Sequence, residues 1–462
     1  MIPAQELVER AVASADALGA DGCMVLVEET SHVDVRYALN TTTTNGVQRG
    51  RSVSVIALSG ESVGSARRTG EVGTDGVAEM AAAALADARQ APPAADAFRL
   101  VEVDQTRPAR QFGLEPEETD SGALEDVLSA LSGAFGRARA RDAVLAGFAE
   151  QDLATLYLGS STGVRLSHAQ PTAAVSLVGR TADGSGSAWV AAPAIAPSME
   201  EMEEEIWRRL DWAGTQVSLE AGRYEVIMPP SAVSDMMAML AFDALGGQDA
   251  EDGRTVFSGE GGGTLVGETI TTLPFTLSSD PFEPGIACTP FVATEASGSE
   301  VSVFDNGLPS ARTDWLHDGV LARLRYHRAG AAKSSVEMAP YIDNLMLRCG
   351  DRDGGSLDDM VARTERGLLL TCLWYIRVVD PATLLCTGLT RDGVYVIEDG
   401  AVVGAANNFR FNESPVDLLA RATEVGTPVR SLGREFGEYL NRTIMPPLRI
   451  GDYNMSSVSQ AS

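Results

Sequence analysis

The pattern of apolar positions in the first 220 residues predicts helices that alternate with groups of strands. Residues 4–18 carry apolar side chains at helical spacing, and residues 77–89 and 122–140 are rich in alanine and also helical in pattern. Alternating or continuous apolar runs predict further elements as strands. These runs lie at residues 23–28, 32–37, 52–59, 143–150, 154–159, 163–169 and 173–180. The last four are spaced as a meander.

A third kind of signal, a helix cap, marks residues 198–210. Ser198 can accept a hydrogen bond at the start of this helix, and Glu201 three residues later completes a capping box. Acidic residues crowd positions 200–205, where the helix dipole favours negative charge. We interpret this charge run as a solvated helix face, with a partner-binding face as the alternative.

The pattern changes near Glu220. Residues 222–229 predict a strand stopped by two prolines, residues 231–245 predict a helix, and short strands and turns dominate afterwards. We therefore predict a two-domain α+β protein. Its N-terminal domain, residues 1–220, would combine helices with a mixed or antiparallel sheet. Its C-terminal domain, residues 221–462, would be mainly antiparallel β-sheet, curved or barrel-like, with a few helices.

The charge balance narrows the possible partners. Against 36 basic residues the chain has 64 acidic ones, a net charge of −28. Such a surface repels phosphate backbones and anionic membranes, so we expect neither nucleic-acid nor membrane binding. The longest apolar run, residues 368–376, is too short to span a bilayer, and the N-terminus has no signal-peptide pattern. A cytoplasmic location is expected, and the five scattered cysteines are expected to be reduced and buried.

Motifs for catalysis are scarce. The four histidines include no HExxH and no pair three or four residues apart, so no helical zinc pair can form locally. Residues 159–163 match G-x-S-x-G, but a strand-like stretch follows them where a nucleophile elbow needs a helix, which favours a hairpin turn. The glycine-rich residues 259–267 lack the Lys-Ser/Thr of a phosphate-binding loop. These residues alone do not name a reaction.

Several stretches of the second half together resemble the TldD/PmbA family. The most specific is Phe-Asp-Asn-Gly-Leu-Pro at residues 304–309, followed by Arg312, Asp314 and Gly-Val-Leu at 319–321. The other matching stretches are residues 219–231, 255–259, 366–371, 393–400 and 446–450. The resemblance covers residues 219–452 well and the N-terminal half only loosely, through residues 46–64.

In that family the TldD-type subunit carries a zinc site, built from an HExxxH helix and a later cysteine. The PmbA/TldE-type subunit pairs with it and lacks the site. The overlay of this chain puts Phe242 and Gly247 at the two histidines and Asp243 at the glutamate, and no cysteine follows Cys386. The resemblance therefore implies a PmbA/TldE-type chain with no catalytic residue, no metal ligand and no cofactor of its own, and places the zinc in a TldD-type partner.

The family's active subunit binds peptide by adding it to an edge strand. In this chain residues 339–345 resemble that edge, so the implied substrate-binding residues are Tyr341, Ile342, Asp343 and Asn344. An interior sheet strand is the equal alternative. Pocket candidates are Phe257, His317 and His327.

The resulting hypothesis is a non-catalytic subunit of a heterodimeric TldD/TldE-like metallopeptidase that processes small or unfolded peptides. One alternative is a zinc-independent amide hydrolase acting on a specialised metabolite or modified peptide, with a pocket lined by Trp315, His317, Tyr326 and His327. The other alternative is a homodimeric peptide-binding protein without catalysis.

Overall fold

The first 213 residues form one long antiparallel sheet and the helices that pack on it. The computed structural model describes residues 2–107, 112–194, 197–350 and 354–459. The helices of this part are α1 (Ala4–Ala17), α2 (Thr74–Gln90), α3 (Glu125–Ala140) and α4 (Met199–Ala213), with 3₁₀ turns at Val103–Gln105 and Ser121–Leu124. The strands are β1 (Gly22–Ala38), β2 (Thr41–Ser59), β3 (Ser62–Thr69), β4 (Ala143–Ser160), β5 (Arg165–Thr181) and β6 (Ser187–Ala192).

These six strands, here called the N-terminal sheet, follow the order β3-β2-β1-β4-β5-β6. One face is covered by helices in two apolar clusters. Near its start, β1 packs Val25 and Val27 against α1 and α2, and near its end it packs Val33 and Val35 against α3 and α4. Between the clusters the same face of β1 is polar, with a buried ion pair between Glu29 and Arg51 of β2.

That polar gap explains an error in the predicted strands. Residues 23–28 and 32–37 were expected as two strands, but both belong to the 17-residue β1. The apolar pattern is interrupted at Glu29 and Ser31 because these side chains are satisfied by polar partners. Glu29 pairs with Arg51, and Ser31 Oγ donates to the Thr119 carbonyl oxygen at 3.2 Å.

The remainder of the chain forms two further sheets. Its helices are α5 (Pro230–Ala244), α6 (Gly247–Glu251), α7 (Arg328–Ser334), α8 (Leu357–Ala362) and α9 (Pro415–Arg421), with a 3₁₀ turn at Val303–Asp305. Its strands are β7 (Gln216–Val217), β8 (Gly222–Met228), β9 (Phe275–Ser279), β10 (Thr313–His317), β11 (Val320–Leu321), β12 (Leu345–Cys349), β13 (Arg366–Leu370), β14 (Leu373–Asp380), β15 (Leu385–Thr390), β16 (Val394–Glu398), β17 (Ala401–Ala406), β18 (Phe409–Glu413), β19 (Ala422–Val425), β20 (Val429–Ser431), β21 (Thr443–Met445) and β22 (Leu448–Val458).

The small C-terminal sheet has the order β11-β10-β9-β12-β21-β20. The large one runs β14-β15-β18-β22-β8-β13-β16-β17-β7, and β19 pairs with β22. Helix α5 lies in the core with these sheets, and nearly all its side chains are buried, from Ala232 to Ala244. A helix that is apolar on every side is typical of a core position.

The second face of the N-terminal sheet packs against the rest of the chain. Met24, Leu26 and Ile56 form one apolar cluster with Phe291 and Phe304. This contact brings the segment 291–308 under the sheet and creates the clefts described below.

The predicted α+β class is confirmed, and most strand pairs in the second half are antiparallel. The expected barrel-like form differs, because the described strands make open sheets that end at β11 and β20 and at β14 and β7. The division at residue 220 stays a prediction. None of the described helices combines the length and apolar character that a membrane span requires. All five cysteines are free and buried, as expected.

Candidate functional site

The position that the overlay assigns to a metal-binding helix lies at the end of α5. The helix ends at Ala244, and Gly247 begins α6 after an extended residue, Gly246. Phe242 and Gly247 therefore stand on two separate helices. Phe242 packs edge-on against the ring of Phe436, with 6.2 Å between ring centroids.

Tyr326 fills the space beside Gly247. A Cβ atom on Gly247 would lie 2.0 Å from the Tyr326 ring, so no side chain fits there in this arrangement. The Tyr326 hydroxyl donates to Glu251 Oε1 at 2.8 Å, which holds the ring in place. Glycine at this position is thus a packing requirement of the tyrosine.

A buried arginine occupies the neighbouring space. The side chain of Arg325 is only 4% exposed, and its Nε lies 3.0 Å from Glu300 Oε2. Its guanidinium also donates to the Ala241 carbonyl oxygen of α5 and lies 5.6 Å from the centre of the Tyr341 ring. Burial lowers the pKa of Arg325 and raises that of Glu300, while each charge favours the other's ionised form.

These residues do not fit a zinc ion. Phenylalanine and glycine offer no ligand atom at the two histidine positions, and a fixed guanidinium charge repels a metal cation. In the described ranges, no three His, Cys, Asp or Glu side chains group together as a metal site. What this part of the fold holds is a buried ion pair between Arg325 and Glu300.

A loop at residues 432–442 closes the end of α5, and Asp235 anchors it. Asp235 is fully buried and accepts backbone N–H bonds from Arg434, Glu435 and Phe436 at 2.9–3.1 Å. Burial raises the pKa of Asp235 to about 7, although the three N–H donors act in the opposite direction. This anchor fixes Phe436 against Phe242.

Next to the arginine, a small cavity of about 170 Å³ lies between the N-terminal sheet and the segment under it. Its lining includes Leu156, Asp305, His327, Tyr341 and Asp343. His327 Nδ1 accepts the Gly330 N–H at 3.2 Å, so a neutral ring carries its proton on Nε2 and can donate from that atom. Two of the sequence-predicted regions, His327 and the 341–344 segment, therefore meet at one cavity.

A second cleft of about 510 Å³ continues along β5. It is lined by residues 168–173 on one side and by Arg430, Asn441 and Arg442 on the other. Arg442 of this cleft contacts the lining of the first cavity, because its guanidinium lies 2.7 Å from Asp343 Oδ2, and it also donates to Thr172. Backbone edges, two arginines and apolar walls make this cleft suited to an extended peptide segment.

The expected edge strand is not formed by the predicted residues. Tyr341, Ile342, Asp343 and Asn344 precede β12 in an irregular segment, and β12 itself is interior, between β9 and β21. Asn344 is buried, and its side-chain amide is satisfied by donating to the carbonyls of Asp280 and Ile286 at 2.6 and 2.8 Å. The segment is held by such side-chain bonds in place of a sheet ladder.

The other pocket candidates separate. Phe257 is fully buried in the main core. His317 is exposed on β10 with its Nδ1 2.9 Å from Asp314 Oδ2, and it borders a different surface groove from His327. Trp315 is buried and donates to Ser279 Oγ at 3.0 Å. The aromatic and histidine cluster expected for a hydrolase is therefore not assembled as one pocket.

Two residues of this site, Arg325 and Glu300, were not predicted from the sequence. Arg325 and Glu300 are 25 positions apart, and each reads as an ordinary surface charge. Only the fold brings them together. An arginine directly before a tyrosine in an apolar stretch was the one local hint of burial.

The comparison with known protein families finds a match in the second half of the chain. Residues 221–457 match the model described as the PmbA/TldA metallopeptidase C-terminal domain. The chain belongs to the PmbA/TldD family. No curated protein sequence matches it at a significant level.

Solved structures with a PmbA/TldD-like fold extend the similarity over the whole chain. TldE from Thermococcus kodakarensis is 19% identical, with a TM-score of 0.78 over 97% of this chain and 99% of that one. A protein of Bacteroides thetaiotaomicron, named as a candidate modulator of DNA gyrase, is 14% identical, with a TM-score of 0.78 over 98% and 99%. A protein of Thermotoga maritima with a similar name is 16% identical, with a TM-score of 0.73 over 97% and 99%.

Proposed function

We propose that this protein is a metal-free, PmbA/TldE-type subunit that pairs with a zinc-carrying TldD-type subunit and binds peptides for it, in the cytoplasm. The observation that carries the proposal is the packing around Gly247, the position that the sequence overlay assigns to a metal ligand. Tyr326 fills the space beside Gly247, and the fixed positive charge of Arg325 lies next to it. Membership of a metallopeptidase family supports a peptidase-related role. The zinc would belong to the partner.

The two neighbouring clefts support the peptide-binding part. They are lined by His327, whose Nε2 can donate, and by Arg430 and Arg442, whose guanidinium groups also contact Pro193 and Asp343 of this chain. Peptide carbonyls and a terminal carboxylate are acceptors for such groups. Here the contacts would come from side chains on both sides of the cleft, and no strand edge at residues 341–344 is required.

Co-purification tests the proposal. The tagged chain is expressed together with the TldD-type subunit of the same cell, and the mass and the zinc content of the captured complex are measured. A one-to-one complex with one zinc, active on unfolded peptides only while the partner's HExxxH is intact, is expected. A partner-free chain that hydrolyses an amide in the presence of chelator would contradict it, and a stable homodimer that binds peptide would favour the binding-protein alternative.

A further inference from the structure

The outer half of β2, residues 41–50, has an uncovered edge. Strand β3 pairs only with Ser52–Ser59, so from residue 50 back to 41 the described strands leave β2 with β1 on one side alone. Nine of these ten residues are exposed, and only Gly46 is partly covered.

Both faces of this half-strand are open as well. The opposing residues of β1, Val33 and Val35, are buried under α3 and α4, but no β2 residue belongs to that apolar cluster. Val47, paired with Val33, is 46% exposed. The half-strand therefore projects beside the helix layer with its edge free and its faces exposed, apart from the ion pair between Arg49 and Glu118.

The edge carries unused hydrogen-bonding groups. The Arg51 carbonyl accepts the Gly70 N–H at 2.8 Å. In this part of β2 the backbone N–H and C=O groups of the odd-numbered residues therefore point away from β1. Among the described residues no hydrogen bond reaches the outward backbone groups of Asn45, Val47 or Arg49. A strand laid beside them would find regularly spaced donors and acceptors.

The sequence does not protect this edge in the usual ways. Exposed edges are normally blunted by prolines or charged side chains. Residues 41–48 read Thr-Thr-Thr-Thr-Asn-Gly-Val-Gln, with neither, and threonine and valine favour strands. The one charged residue of the edge, Arg49, lies at its inner end, where its guanidinium pairs with Glu118 at 2.7 Å. In a chain of net charge −28, this stretch also contains no acidic residue. An unprotected edge of this kind is typical of a surface that another strand covers.

The turn between β1 and β2 independently indicates that this end of the sheet is a contact surface. Leu39 is 76% exposed and has a φ of +52°, followed by Asn40 at +58°. A leucine in this conformation is uncommon, since asparagine or glycine suits such turns better. Asn40 is fixed inward, because its side chain bonds to Ala143 and Leu145. The turn thus presents a large, exposed apolar side chain at the end of the hairpin that β1 and β2 form.

We propose that residues 41–50 of β2 form the docking edge for the equivalent strand of a partner subunit with the same fold. This rests on the proposed function, which supplies such a partner. Antiparallel pairing of two equivalent edges is self-complementary, and centring it on Val47 places Asn45 opposite the partner's residue in the place of Arg49. Two copies of this chain would bring together two charges of −28, so a less acidic subunit is the better occupant.

Substitution of Val47 tests the pairing. Val47→Pro removes an outward N–H that β1 does not use, and its ring obstructs a neighbouring strand, whereas Val47→Thr keeps both the N–H and the strand preference. In pull-down with the TldD-type subunit, we expect V47P to bind at least tenfold more weakly and V47T to bind like the wild type. Circular dichroism and thermal unfolding of the free chain check that V47P is folded.

Hydrogen exchange gives a direct readout. The amides of Asn45, Val47 and Arg49 should exchange quickly in the free chain and slowly in the complex. If V47P binds normally and these amides stay fast in a complex that does form, the docking edge is wrong while the proposed function stands. If the wild-type chain binds no such subunit, the proposed function itself fails.

A cysteine distinguishes the remaining occupants. Because the native cysteines are all buried, Val47→Cys places one exposed thiol at the centre of the edge. Rapid oxidation of the free V47C chain to a disulfide-linked dimer would show pairing with a second copy and overturn the heteromeric assignment. Protection of the three amides by unfolded peptide alone would overturn it in favour of substrate binding.

Discussion

Removal of the Arg325 charge should destabilise the second half of the molecule strongly. The substitution Arg325→Met keeps most of the side-chain volume but leaves Glu300 partly buried without its cation. Breaking a buried pair by removing one partner costs about 3–5 kcal/mol. Since Glu300 keeps 20% of its side chain exposed, water relieves part of this penalty, and we expect a loss of about 3 kcal/mol.

This loss of stability lowers the melting temperature of the second half of the molecule. If residues 221–457 unfold together, their unfolding entropy is about 0.5 kcal/mol per kelvin, so a loss of about 3 kcal/mol lowers the melting temperature by about 6 °C. Differential scanning calorimetry measures this shift. The matched control is Arg323→Met, two residues away, where the ion pair with Glu337 is exposed and its loss should cost less than about 1 kcal/mol.

The double variant R325M/E300Q decides the mechanism. If the two charges stabilise each other, the double variant is less destabilised than the sum of the single ones, with a coupling of about 1–3 kcal/mol. Additive losses, or an R325M that behaves like R323M, would refute the interpretation of Arg325 as an internal cation held by Glu300.

Three further predictions concern the same region. Gly247→Ala places a Cβ 2.0 Å from the Tyr326 ring and should cost about 1–3 kcal/mol in urea unfolding, whereas Gly136→Ala in α3, with open space at its Cβ, should be neutral or stabilising. The double variant F242H/G247H should retain no more zinc than the wild type in metal analysis after dialysis; stoichiometric zinc would contradict the filled site. Asp235 ionises at about 3.8 unfolded but near 7 folded, so the stability of the wild type relative to Asp235→Asn should fall as the pH rises from about 4 to 7 and level off above; a pH-independent difference in chemical unfolding would count against that pKa.

Local patterns predicted several elements because their causes are local. The helix at residues 198–210 appears as α4, and Ser198 Oγ accepts the Glu201 N–H at 3.2 Å as the cap requires. The G-x-S-x-G stretch is the turn between β4 and β5, as its flanking strand patterns indicated.

The missed features depend on partners far apart in sequence. Glu29 is satisfied by Arg51 across a strand pair, so its place inside β1 could not be recognised from the residues around it. The segment 341–344 looked strand-like, but Asn344 is committed to the loop at residues 280–286. Likewise Arg325 becomes a site residue only through Glu300 and Ala241. Strand register and polar contacts between residues far apart in sequence decide such positions, and a local sequence pattern contains no information on either.

The near-complete burial of α5 has a consequence for how this part of the fold can evolve. Its side chains between Ala232 and Ala244 are held by packing, and Asp235 ties it to the closing loop. The helix therefore keeps its position whatever chemistry stands at its end. Substitutions at that end can therefore change the local chemistry while the backbone shape of this part of the fold is retained.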